Sequence, residues 1–227
     1  VVKVYFATDR QRDVGKPPAQ RFSGQRSMAA GNGADDGPLS YGSCDISIPR
    51  DHRMGQLESP SLWRLEFRED PAKHVVLLSA DVQDRENFLA ALKTQIRASA
   101  GKSAFVFVHG YNVTFEDAAR RTGQMAYDLG FDGAPVFYSW PSQGDVAGYT
   151  IDENNIEWSA PHITAFLADF LASTDAAQVY LVGHSMGSRG LTRAVADLLA
   201  AQPPLAQKIT EIILSAPDID AAIFKHD

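Results

Sequence analysis

From residue 104 onward, short unbroken apolar runs alternate with longer stretches in which apolar side chains recur every three or four positions. Residues 104–108, Ala-Phe-Val-Phe-Val, form a run too short for a helix and bounded by Gly101 and Gly110, which predicts a buried strand. A helix over about 115–129 follows, opened in capping-box style by Thr114 with Asp117 three residues on and closed by Gly130. Residues 135–140 predict a second strand, and Ile163, Phe166, Leu167, Phe170 and Leu171 mark the buried face of another helix. Residues 179–182 give a third strand. Leu191, Val195, Leu198 and Leu199 then keep helical spacing until Pro203-Pro204 stops the helix, and 209–214 supplies one more strand. This alternation implies an α/β fold, a doubly wound and mostly parallel sheet with helices on both faces.

The first hundred residues are less regular. Val2-Lys3-Val4-Tyr5-Phe6 alternates as a strand should, whereas 11–42 carries Pro17-Pro18, Gly24, Gly31, Gly33 and Gly37 among few large apolar groups. That stretch is expected to be a long loop, either a lid or rim of a site or a disordered segment. Short strands are expected at 44–48, 62–67 and 74–78, then an amphipathic helix presenting Phe88, Leu89, Leu92 and Ile96. No internal repeat or low-complexity tract breaks the chain. With 227 residues, 44% of them apolar, it is long enough to fold as one domain across 1–227.

A net charge of −7, with no Lys/Arg run longer than two, argues against nucleic acid and anionic membrane surfaces as partners. No apolar stretch approaches the roughly 20 residues of a membrane span. The single cysteine, Cys44, excludes an internal disulfide and a cysteine-rich metal site, and reads as a small buried residue. No cofactor or metal is implied. The chain opens at Val1 and enters a strand at once, so an upstream segment, such as a leader, is expected to lie outside this sequence.

The chemistry gathers in loops that follow strands, where ligands of such sheets bind. Gly183-His184-Ser185-Met186-Gly187 lies between a strand and a helix. A serine boxed by glycines there reads as a nucleophile elbow, since side chains two residues to either side would crowd the sharp turn. The pattern alone is weak, and its flanking strand and helix give it weight. Acyl transfer needs two backbone N–H donors for the oxyanion. One is expected from Met186, after the nucleophile, and the other from His109-Gly110-Tyr111-Asn112, with Tyr111 first and Asn112 next.

His109, Asn112 and Trp140 are candidates for the substrate wall. His109 is alternatively a structural histidine of the loop, and Tyr138-Ser139-Trp140-Pro141-Ser142 is alternatively a Pro-Ser turn with an aromatic plug. Asp218, after the last strand, is a candidate triad acid and equally a candidate N-cap for 221–224.

Taken in order, Ala7-Thr8-Asp9-Arg10, Ser47-Ile48-Pro49-Arg50, Phe107 to Asn112, the helix start at 115–121, Tyr138 to Ser142, Gly183 to Gly187 and Ala216-Pro217-Asp218 resemble a bacterial family of α/β-hydrolases. Its members are mostly uncharacterised esterase/lipase-like proteins, and the likeness runs through nearly the whole chain. The resemblance implies a serine hydrolase acting on a small-molecule ester with Ser185 as nucleophile and the Tyr111 loop in the oxyanion hole; a soluble protein is expected, with bacterial cytoplasm and periplasm both open as its compartment. In α/β-hydrolases the triad histidine follows the acid on a loop after the last strand. Here one strand follows the elbow before the chain stops at His226-Asp227, so the remaining strands and the catalytic histidine are expected outside this sequence. A hydrolase-like domain without catalysis, serving binding or assembly, is the alternative.

Overall fold

The computed structural model describes residues 1–28, 38–59 and 70–218. Nine strands occur among them. β1 (Val2–Thr8), β4 (Ser40–Ser47), β5 (Val76–Gln83), β6 (Ser103–Val108), β7 (Gly133–Ser139), β8 (Gln178–His184) and β9 (Ile209–Ser215) form a seven-stranded sheet in the order β5-β4-β1-β7-β6-β8-β9. The five strands from β1 to β9 run parallel, and β4 and β5 turn antiparallel at the far edge. The sheet is thus mixed but mostly parallel, as expected.

β6 is the middle one of the five parallel strands and is buried along its whole length, as an unbroken apolar run requires when both faces of the strand are covered. From β6 the chain adds β7 on one side and β8 and then β9 on the other. The strand order therefore reverses between β6 and β8, and the crevice at their carboxyl ends is where a sheet of this kind binds ligands.

Helices cover both faces. On one, α1 (Arg85–Ala98), α3 (Tyr149–Ser173) and α4 (Gly187–Ala201) bury Phe88, Leu92, Ile163, Phe166, Leu191 and Leu198 against Val106, Val136 and Leu181. On the other, α2 (Phe115–Asp128) packs Phe115, Ala118 and Ala119 on Phe6, Phe105, Phe107 and Phe137. The expected start of α2 is present in full: Thr114 Oγ1 accepts from Asp117 N, Asp117 returns the bond to the Thr114 backbone, and Gly130 ends the helix with φ +54°. α4 stops at Ala201, and Pro203 opens the short α5 (Pro203–Ala206). α3 is longer than its apolar face suggested, because it continues through Pro161.

The N-terminal expectation needs correction. Residues 11–28 and 38–42 are not featureless loop: β2 (Arg10–Arg12) pairs antiparallel with β3 (Phe22–Arg26), a 3₁₀ turn spans Pro18–Gln20, and β4 begins at Ser40. The physical reason is one anchor. Phe22 is 4% exposed and packs on Phe6, Phe115 and other rings of the α2 face, so the hairpin folds back onto the domain. The strand expected at 74–78 begins later and runs to Gln83, with His74 in the preceding turn. The strand expected at 62–67 lies outside the described residues, as does the segment 221–224 that Asp218 was to cap. Cys44 is buried, and burial pushes its thiol up. No described helix is long and apolar enough to cross a membrane.

Candidate active site

Ser185 follows β8 with φ +50°, a left-handed backbone that costs a serine about 1–3 kcal/mol and persists only where its surroundings impose it. Hydrogen bonds impose it from both sides. Ser185 N donates to Ser215 O at 3.0 Å, while Ser188 N (3.0 Å) and Asp218 N (3.3 Å) donate to Ser185 O. The glycines of the box are there for space. A methyl on Gly187 would overlap the carbonyl oxygen of His109, and one on Gly183 would come within 3.0 Å of Ser188 Cα. α4 therefore starts hard against the end of β6, with Met186 fully buried at its first turn and no side chain capping that turn. Ser185 itself remains partly accessible.

The loop after β6 meets this elbow directly. A methyl on Gly110 would lie 3.0 Å from Ser185 Cβ and 2.8 Å from His184 Nδ1, so only glycine lets the backbone approach this closely. Two residues on, Asn112 is exposed with φ +58°, and its N–H donates to Asp152 Oδ2 at 3.3 Å. The Tyr111 ring packs edge-on against Tyr149 at 5.2 Å. Tyr111 and Met186 are thus on the two segments that converge on Ser185.

His109 and Trp140 do not form a substrate wall in this arrangement. They are 1% and 0% exposed, stacked on each other at 5.1 Å, and joined by a 2.7 Å bond from Trp140 Nε1 to His109 O. His109 Nδ1 bonds Gly110 O (2.8 Å), and its Nε2 bonds Ser139 Oγ (3.1 Å). Burial, reinforced by the nearby Arg10 charge, holds its imidazole well below the ordinary range, hence neutral. These are the structural-histidine and aromatic-plug alternatives of the sequence reading.

Asp218 lies beside the elbow and pins it through its backbone N–H. Its carboxylate accepts from the Tyr149 hydroxyl (3.0 Å) and pairs with Arg189 Nη2 (3.1 Å), while Arg189 Nε donates to Asp218 O (2.6 Å) and Nη1 to Glu153 (3.1 Å). None of the described histidines hydrogen-bonds the Ser185 hydroxyl. His52 is held between Glu58 and Asp128, His74 by Asp70, and His162 Nδ1 by Asp9 (3.0 Å). His184 lies beside Gly110 with much of its surface exposed, and the partial burial of its ring, with the Arg121 charge, pushes its imidazole down. His226 lies outside the described residues.

Four residues of the site escaped the sequence reading: Arg10, Asp152, Tyr149 and Arg189. Arg10 could have been found, because β1 is parallel to β7 and the residues after it reach the same sheet edge as Ser185. Asp152 and Arg189 had a fainter signal, as charged groups on otherwise amphipathic helices. Among the described residues, no group of three or more His, Cys, Asp or Glu is arranged to hold a metal ion.

Residues 84–227 match the family described as an alpha/beta hydrolase of unknown function (DUF900), and the chain belongs to it. No curated protein matches the chain.

Proposed function

We propose that this α/β hydrolase is a serine carboxylic-ester hydrolase that works through an acyl-enzyme on Ser185. One observation carries the reading: Ser185 is held at φ +50° on a strand–helix elbow with the Gly110 backbone packed against it. In this reading a histidine takes the Ser185 proton as the hydroxyl oxygen attacks the ester carbonyl. The N–H groups of Met186 and Tyr111 receive the oxyanion, and the alcohol leaves with the proton returned by the histidine. Water then attacks the acyl-enzyme by the same route, releasing the acid and restoring Ser185.

The histidine comes from outside the described residues, and Asp218 is the proposed acid that orients it, released from Arg189 to do so. A second reading, a hydrolase-like domain that binds or assembles without catalysis, is favoured by one observation: the Asp218 carboxylate faces Arg189 and Tyr149. Hydrolysis of short-chain p-nitrophenyl esters by the full-length protein separates the two. Turnover that Ser185→Ala lowers by about 10⁴-fold or more supports the hydrolase. A folded protein with no turnover, or one whose turnover survives the substitution, supports the second reading.

A further inference from the structure

Two buried side chains of opposite charge hold the loop after β6, one at a carbonyl and one at an amide. The Arg10 guanidinium, 1% exposed, donates through Nη2 to Val113 O (2.7 Å) and lies 3.5 Å from His109 Nε2. Its Nη1 donates to Ser142 O (2.9 Å) and Ser23 O (3.1 Å), and its Nε to Ser139 Oγ (2.8 Å). The Asp152 carboxylate, fully buried, accepts from Asn112 N (3.3 Å), Gln143 N (2.8 Å) and the Ser142 hydroxyl. Ser142 joins the two: its carbonyl faces Arg10, its hydroxyl faces Asp152, and that same oxygen accepts from Val113 N at 3.1 Å.

Among the described residues no carboxylate lies within ion-pair distance of Arg10, although Asp9, Asp152 and Asp117 favour its charge from farther off; its hydrogen bonds end on three carbonyls, one hydroxyl and the His109 ring. Burying a guanidinium without a paired carboxylate is a poor route to stability, and an apolar side chain of similar volume would serve that end better. What the guanidinium supplies is reach, since its fork of donors satisfies acceptors from three separate segments at once, β3, the end of β7 with the turn after it, and the loop after β6. Asp152 meanwhile occupies the Asn112 amide, and so removes one of the two amides that could meet an oxyanion.

We propose that Arg10 and Asp152 are a pair of positioning residues that fix the 109–113 loop so that the Tyr111 amide, and not that of Asn112, faces Ser185. This rests on the reading of Ser185 as the nucleophile of an ester hydrolase. Neither residue touches substrate; both act through backbone groups. A loop displaced by about 1 Å costs on the order of 100-fold in rate, comparable to loss of one oxyanion donor.

The test uses Arg10→Lys, Asp152→Asn and the milder Ser142→Ala, each assayed below its own melting temperature. Kinetics on a p-nitrophenyl ester are read beside amide hydrogen exchange of the 109–114 peptide. The expected result is a kcat lower by about 100-fold with KM little changed, and faster exchange at 109–114 but not in β8. Combining Arg10→Lys with Asp152→Asn should add little to either alone, because both act on one loop. Unchanged kcat per folded molecule in a variant that melts earlier would make the pair merely structural and overturn the proposal. If the parent protein neither turns over ester nor acylates Ser185, the hydrolase reading fails by itself. Exchange then still decides whether the pair holds the loop, and unaltered exchange at 109–114 overturns it.

Discussion

Ser185 occupies a backbone region that serine avoids because three hydrogen bonds to its own N–H and carbonyl leave no alternative. The same crowding makes its neighbours intolerant in different ways. Gly110→Ala would bring a methyl within 3.0 Å of Ser185 Cβ, so the loop must retreat from the proposed nucleophile. A fall in kcat of about 100-fold with a modest drop in melting temperature is expected from steady-state kinetics and thermal denaturation. Gly187→Ala forces overlap with the end of β6 and should instead cost stability, about 1–3 kcal/mol by urea denaturation. At this scale the sequence was informative wherever the chemistry is local. The glycine box and the Tyr111 loop are contiguous motifs. Arg10 owes its role mainly to partners about 100 to 130 positions away, and Asp152 to partners about 10 to 40 away, and no spacing rule reports that.

At the scale of elements, the second half of the chain was legible because β6 and β7 are buried along their whole length, β8 and β9 keep short apolar runs, and its helices carry their own stops. The α2 capping box is the clearest example. Thr114→Ala should cost about 1 kcal/mol, and since Thr114 follows the 109–113 loop, exchange should rise there as well as in the first turn of α2. The β2–β3 hairpin was not legible, because three to five residues between prolines and glycines carry too little periodicity, and what orders them is contact with Phe6 and Phe115. Phe22→Ala should therefore destabilise the whole domain by about 3–5 kcal/mol, measured as a shift of the cooperative transition. A loss confined to the hairpin, with the main transition unmoved, would show that the segment is an appendage.

At the scale of the whole molecule, the far side of the domain is tied by His52, clamped between Glu58 Oε2 (2.8 Å) and Asp128 Oδ1 (2.7 Å). Burial pulls the imidazole down, but the bonds to Glu58 and Asp128 outweigh it and the net direction is up; both carboxylates are held low. The contribution of His52 is therefore complete below its unfolded value of about 6.5 and is lost as pH rises through the higher folded value. The carboxylates lose theirs as pH falls below about 4. His109, held low, works the other way, weakening the fold as pH drops below about 6.5. Comparison with His52→Gln isolates the clamp: urea midpoints of the parent should decline between pH 6 and 9 more steeply than those of the variant, and parallel curves would remove it from the account.

These scales meet at the elbow, since β9, the Asp218 loop, the Gly110 loop and α4 all converge on one serine. The most direct test is therefore covalent. The full-length protein, treated with a fluorophosphonate and mapped by mass spectrometry, should carry a single adduct on Ser185, absent from Ser185→Ala. A folded protein that takes no adduct, or takes it on another residue, would contradict the assignment of Ser185 as an activated nucleophile.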